Sequence, residues 1–384
     1  MLPGPTNVSD RVMQAMLSPV INHRSHDFAE LHKNVIEGCR YVFDTKKADV
    51  VVLSSSGTGG VDAAMQSILD PGDSVVIPAF GEFSSRLGDS ARYLGAKVIA
   101  PEANLGGLPN LQSVEASMKQ APKVKALCVV YNETSTGVTW RKLKELKELA
   151  NKYGSLFIVD AISVLGGDFL PVDELGVDVC ITGSQKCLAA PPGLAILCFS
   201  EEARKIVMKA KDPKSQYFDI KRYFKYAESG ETPYTPALPL FYALDEALKI
   251  VKEEGLERRI RRHAVCAKAF YDAFESIGIS AHCKNLEERS HTVIGMVYPK
   301  GIEDQKFRSI LSEKFWILIA GGFGALRGKM FRLGCMGEVN QQIVTATVSG
   351  IANCLKLLGY DCDPSRALER VWSALGEPTF DLKS

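Results

Sequence analysis

The sequence predicts an α/β protein: a large region built on a mostly parallel sheet covered by helices, followed by a smaller α+β region. Three observations carry this. From Ala48 to Ile181, runs of aliphatic and β-branched residues alternate with amphipathic segments of helical period, the pattern of strands buried on both faces between crossover helices. Beyond 194–199 the alternation gives way to a basic, aromatic stretch at 215–226. The length, 384 residues, exceeds one simple core at the usual ~100–200 residues per domain.

In order, residues 2–7 hold two prolines and a glycine and read as an extended arm. Segments 9–16 and 28–41 have helical spacing, with a polar loop between them. The alternation then runs strand 50–54, a glycine-containing turn, helix 61–69, turn 70–73, strand 74–78, helix 82–94, strand 97–100, helix 111–119, strand 126–131, helix 143–153 and strand 156–159. Two further strands are predicted at 177–181 and 194–199. A long helix at 238–254 marks the boundary. Past it, helix 259–277, strand 293–297, helix 304–313 and the apolar run 315–320 form the smaller unit. The predicted division is an arm at 1–15, a large domain at 16–252 and a small domain at 253–384.

The totals exclude several functions. Charged residues make up 24% of the chain with a net charge of +1, which gives no electrostatic bias toward nucleic acid or an anionic membrane. No run approaches the ~18 apolar residues of a membrane span, and the start lacks a basic segment followed by an apolar one, so a cytoplasmic protein is expected. Ten cysteines without a Cys-x-x-Cys pair read as reduced, buried small hydrophobes. The spacing of Cys354 and Cys362 leaves a bridge between them open. The six histidines form no convincing helical His-x-x-x-His pair, so no metal site is expected.

Ligands of open α/β sheets bind beyond the carboxyl ends of the strands, so the residues just after each strand are the candidates. After the first strand comes Ser56-Gly57-Thr58-Gly59-Gly60. Glycines admit an anion to the backbone, and the N–H groups of a helix start, with the Thr58 hydroxyl, suit a phosphate; a plain turn is the competing reading. The stretch lacks a P-loop lysine and dinucleotide spacing. Asp160 stands at the end of strand 156–159, where a carboxylate either caps the next turn or pairs with a ring nitrogen. Lys186, in Gly183-Ser184-Gln185-Lys186, comes after an apolar strand; a partly buried amine beside other cations loses its proton readily and can attack a carbonyl. Its bland alternative is a loop cap or salt bridge. Phosphate cradle, ring carboxylate and reactive lysine, each after a different strand, are the three attachments that pyridoxal phosphate requires. Arg332 lies between Phe331 and Leu333 in an apolar, strand-like context, and its fork matches a carboxylate in two hydrogen bonds. A structural salt bridge to the large domain is the alternative there.

These stretches, together with Pro3-Gly4-Pro5-Thr6, His23-Arg24-Ser25, Asn132-Glu133-Thr134-Ser135-Thr136-Gly137, Ala190-Pro191-Pro192-Gly193 and Tyr234-Thr235-Pro236, carry a family resemblance. Over nearly its whole length the chain resembles the class V, fold-type I aminotransferases, and within them the alanine-glyoxylate and serine-pyruvate group. The resemblance implies that Lys186 carries pyridoxal phosphate as a Schiff base and later serves as general base. It implies that Asp160 binds the ring nitrogen, that Thr58, Gly59, Gly60 and Gln185 hold the phosphate, and that Thr134 lies near the ring hydroxyl. Ile162 would pack under the ring and Phe83 above it. Arg332 would grip the substrate carboxylate, with Gly4 nearby. Thr235 would reach the phosphate of the neighbouring subunit, giving a homodimer with shared sites. The implied reaction is ping-pong transfer of an amino group from a small L-amino acid, serine or alanine, to a 2-oxo acid, glyoxylate or pyruvate; the lack of an obvious second arginine motif for an acidic side chain points the same way. Two rivals stand beside it. A cysteine desulfurase or lyase of the same fold needs a cysteine ahead of the arginine, where 321–328 has none. A non-catalytic subunit of this fold would be favoured by loss of the lysine, aspartate or arginine, and all three are present.

Overall fold

Strands form where the β-branched runs lie: β1 (Asp49–Ser54), β2 (Ser74–Val76), β3 (Lys97–Ile99), β4 (Val124–Val130), the short pair β5 (Asn132–Glu133) and β6 (Val138–Thr139), then β7 (Leu156–Asp160), β8 (Val179–Gly183) and β9 (Leu194–Phe199). The computed structural model describes residues 1–104, 106–210 and 213–376, so the last eight residues of the predicted small domain, 377–384, lie outside the described residues. Seven strands pair in the order β1-β9-β8-β7-β4-β2-β3. β8, β7, β4, β2 and β3 are parallel, whereas β9 runs antiparallel to both β8 and β1. The loop 184–193 between β8 and β9 is too short for the crossover that a parallel partner needs, and a hairpin-like return is what that length permits. Every residue of β7 and β8 is buried, so both faces of the sheet centre are covered, as their unbroken apolar sequences require.

Side-chain caps set the helix starts. Ser9, Ser25, Ser56, Asn110 and Ser200 each accept a backbone N–H at the first turn of a helix. The helix predicted at 61–69 begins four residues early, as Gly57–Ile68, so the predicted glycine turn is its first turn. A Cβ on Gly57 would stand 2.9 Å from Ile162 Cδ1, and one on Gly60 2.8 Å from Ala195 Cβ. Glycine costs helix stability, but here it lets the helix start seat directly on the strand ends.

The second layer is the antiparallel sheet β10 (Val293–Val297), β11 (Ala320–Gly321) and β12 (Met330–Gly334), ordered β10-β12-β11. Helix Leu256–Ser276 packs on β10, and helices Gln341–Leu357 and Pro364–Leu375 pack on that helix. Phe270, Phe274, Phe331 and Ile351 belong to a hydrophobic cluster separate from the one around the large sheet. The predicted apolar run 315–320 is mostly not strand: helix Asp304–Phe315 ends on Trp316 in the left-handed region, φ 57°, and only Ala320–Gly321 pairs with β12. The sequence predicts no element at Glu201–Lys209, Gln341–Leu357 or Pro364–Leu375, all helical. Within the basic, aromatic stretch, Ile220–Ala227 is also a helix. Ile220, Tyr223 and Phe224 are buried on one face of it while Arg222 and Lys225 face out, an amphipathic period hidden by the high charge.

Candidate active site

The carboxyl ends of β1, β4, β7 and β8 meet at one cleft. β1 leads into Ser56, Gly57 and Thr58; β4 leads into Asn132 and Thr134; β7 delivers Asp160 and Ile162; β8 delivers Gln185 and Lys186; and helix Glu82–Tyr93 adds Phe83. Together with its open mouth, the cleft holds about 760 Å³ of space not taken by atoms. Thr58, Phe83, Thr134, Asp160, Ile162, Gln185 and Lys186, far apart in sequence, all line it.

Lys186 donates from Nζ to the Pro3 carbonyl oxygen at 2.6 Å. Burial pushes its ammonium down to about 8, and the Arg332 guanidinium acts in the same direction. Asp160 closes β7 and is buried, with Oδ1 accepting the Ile162 N–H at 2.9 Å. Burial pushes this carboxyl up to about 7 against the opposing pull of that amide. So the local N-cap reading of Asp160 holds for one oxygen, and the other is free for a ring nitrogen. Arg332, on β12, is 4% exposed. Its Nε donates to Gly321 O and its Nη1 to Thr134 O, both at 2.9 Å. Among the described residues it makes no ion pair, which leaves a buried guanidinium with three unspent N–H groups. The structural salt bridge is therefore replaced by bonds to two carbonyls. Burial pushes Arg332 down to about 10.

Gly59 and Gly60 sit deeper in the helix start than Thr58. Gly59 N–H is taken by Ser56 Oγ at 3.2 Å and Gly60 N–H by Ser56 O at 3.0 Å, so the open amides of the first turn are those of Gly57 and Thr58. Thr235 is exposed on the loop before helix Leu238–Glu254 and does not line this chain's cleft. Gly4 lies against Lys186: its φ is +111°, and a Cβ there would stand 2.0 Å from Nζ. The arm is fastened at both ends, since Gly334 N–H donates to Met1 O at 2.9 Å and Thr6 N–H to Gln185 O at 3.0 Å.

Sequence reasoning passed over Glu133, although it neighbours Thr134. Fully buried, its carboxylate accepts the N–H groups of Phe83 at 3.2 Å and Ser84 at 2.9 Å, and the Ser135 hydroxyl at 2.6 Å. One side chain thus pins the Phe83 backbone beside Thr134, whose carbonyl holds Arg332. Negative charge at a helix N-terminus is favourable, which explains how this carboxylate is buried without a cation. Arg259, 1% exposed, was also missed; its Nη2 donates at 2.7 Å to the carbonyl of Cys187, the residue after Lys186.

The residues present fit pyridoxal phosphate. The Gln185 amide is buried at the cleft and its oxygen has no hydrogen-bond partner, so the amide is free to turn its NH2 toward a phosphate beside Thr58 and the open amides. Asp160, Lys186, Ile162 and Phe83 line the same cleft, with the chemistry that a ring nitrogen, an aldehyde and the two ring faces would need.

The family model described as aminotransferase class-V matches residues 4–337. An uncharacterized aminotransferase of Methanocaldococcus jannaschii is 42% identical over 95% of this chain and 94% of its own length. A serine–glyoxylate aminotransferase of Methylorubrum extorquens is 33% identical over 98% and 95%. Among solved structures, the ureidoglycine-glyoxylate aminotransferase of Bacillus subtilis is 30% identical and superimposes with a TM-score of 0.92, covering 98% of this chain and 97% of that one. With a fold-type I architecture, a cleft suited to pyridoxal phosphate and a family match across nearly the whole described length, the chain belongs to the class-V aminotransferases.

Proposed function

We propose that this aminotransferase moves the amino group of a small L-amino acid, serine or alanine, to glyoxylate or pyruvate, the two half-reactions alternating at one site. One observation carries the reading: Arg332, a buried guanidinium without an acidic partner, stands beside the cleft that Lys186 lines, held there by the carbonyl of Thr134, itself a lining residue. An amino acid and a 2-oxo acid share the carboxylate that such a guanidinium grips. The serine–glyoxylate and ureidoglycine–glyoxylate relatives support glyoxylate as acceptor.

Pyridoxal phosphate, when bound, supplies a ring that draws electrons from the donor Cα. Lys186 would hold its aldehyde, Asp160 its ring nitrogen, Thr58 and Gln185 its phosphate, Thr134 its hydroxyl, and Ile162 and Phe83 its two faces. Arg332 fixes the donor carboxylate, which orients the Cα–H bond toward Lys186. Nζ, with a pKa near 8, is well matched to accept that proton and return it near neutral pH. Asp160, desolvated, favours a protonated partner over bare ionisation.

A desulfurase lacks its nucleophile here. Cys335, the cysteine nearest Arg332 in sequence, is fully buried and turned to the His263 carbonyl. All ten cysteines are free, including Cys354 and Cys362, which supports a reducing, cytoplasmic setting. The two separate hydrophobic clusters support the division between a large domain (16–252) and a small domain (253–384), with the arm (1–15) forming no cluster of its own. A homodimer with shared sites completes the reading.

The test is spectroscopic. Serine, alanine, aspartate and cysteine are added in turn to cofactor-loaded protein while its visible band is monitored. Bleaching by serine or alanine, and recovery with glyoxylate or pyruvate, is the expected result. Reaction with cysteine alone, releasing sulfide, overturns it.

A further inference from the structure

The glycine-rich segment 321–328 enters the reaction proposed so far only through the Gly321 carbonyl that holds Arg332, yet its aromatic side chain lies against the same guanidinium. Its surroundings are open: Gly324, Ala325, Arg327 and Gly328 are exposed. Phe323 is turned inward. Its ring lies 4.5 Å from the Arg332 guanidinium carbon, 5.8 Å from that of Arg86, and edge-on to Phe83 with centroids 6.1 Å apart. A guanidinium held over a ring by its charge can still turn the N–H edge of its fork to a carboxylate.

The geometry around that edge is otherwise closed. Thr134 and Gly321 border the guanidinium through their carbonyls. Across the cleft, the arm occupies the flank of Lys186, with no room for even one carbon on Gly4. A donor held by its carboxylate on Arg332, with its Cα toward Lys186, lies beside Phe323, whose ring touches both Arg332 and Phe83. Helix Glu82–Tyr93 keeps that wall firm, since Arg86 is tied to Glu82 at 2.9 Å and Phe83 is pinned by Glu133.

We propose that Phe323 is the specificity-determining residue of this enzyme, its ring filling the side-chain space of the donor site so that short side chains fit and bulky ones are excluded. The inference rests on the aminotransferase reading with Arg332 as the carboxylate clamp. The ring is carried on a glycine-rich segment and not on a helix or strand, and Phe323 does not itself line the cofactor cleft, although it meets Phe83 edge-on.

The experiment compares wild type, Phe323→Ala and Phe323→Met with L-alanine and L-leucine as donors and glyoxylate as acceptor. Phe323→Ala is expected to raise kcat/KM for leucine relative to alanine by roughly tenfold or more, the usual effect of a few methylenes in a pocket. Phe323→Met, which keeps the bulk, moves that ratio far less. Glyoxylate has a carboxylate but no side chain, so its KM should stay within about twofold of wild type. An unchanged leucine-to-alanine ratio in an active variant overturns the role of Phe323 alone. A glyoxylate KM that rises in step with the donor effects also overturns it, because the ring would then merely brace Arg332. Absence of amino transfer from any donor by the wild type sinks both this inference and the reading beneath it.

Discussion

Lys186 has its pKa lowered from 10.5 to about 8, chiefly by burial, and this sets a pH dependence. Only the neutral amine attacks an aldehyde, so capture of pyridoxal phosphate by cofactor-free protein should slow as pH falls through about 8. Stopped-flow absorbance across a pH series checks this; a midpoint near that of an ordinary lysine would mean that burial does not tune the group. Arg332 invites a second test. Both substrates carry a carboxylate, so Arg332→Ala should lower kcat/KM for donor and acceptor alike by roughly 100-fold, about the contribution of a buried bidentate pair. Loss confined to the donor would show that the acceptor is held elsewhere. These residues were legible because an isolated cation after, or inside, an apolar strand is chemically odd on its face. Glu133 and Phe323 were not, since a glutamate beside a threonine and a phenylalanine among glycines look ordinary until the chain brings them to Phe83 and Arg332.

At the scale of elements, alternation of apolar and amphipathic segments revealed most of the large sheet, because strands buried on both faces cannot hide their composition. What it missed was direction and ends. Nothing in the apolar run 194–199 says that β9 reverses; the brevity of the loop before it does. The start of helix Gly57–Ile68 was concealed by glycines, which local propensity reads as turn. The arm presents the sharpest test of an element. Gly4→Ala places a Cβ against the Lys186 side chain at a φ of +111° that alanine rarely adopts, so the arm and the lysine must shift against each other. Since misplacing a catalytic group by about 1 Å can cost ~100-fold, kcat/KM should fall by about that order while the unfolding midpoint of the cofactor-free protein changes little. A variant with normal turnover would show that the arm is dispensable to chemistry. Glu133→Gln keeps shape but removes the charge that caps helix Glu82–Tyr93; the expected readout is a changed circular dichroism of the bound cofactor, because Phe83 loses its pin.

For the molecule as a whole, the site of one chain lacks Thr235, which stands exposed away from its own cleft. Met13, Leu17 and Val20, close in sequence, are 48%, 82% and 82% exposed, apolar side chains that a second subunit would cover. Both observations fit a two-fold dimer in which each chain completes the other's phosphate site. Such sharing predicts complementation. Lys186→Ala cannot hold the cofactor, and Thr235→Asp sets a negative charge where the partner's phosphate would lie; each alone should be nearly inactive. In a hybrid dimer of the two, one site carries both changes and the other carries neither. Random pairing in a co-expressed mixture makes half the dimers hybrids with one sound site of two, so activity should return to about a quarter of wild type. If each chain builds its site alone, every site keeps one lesion and mixing restores nothing. The mixture therefore decides whether the catalytic unit is one chain or two.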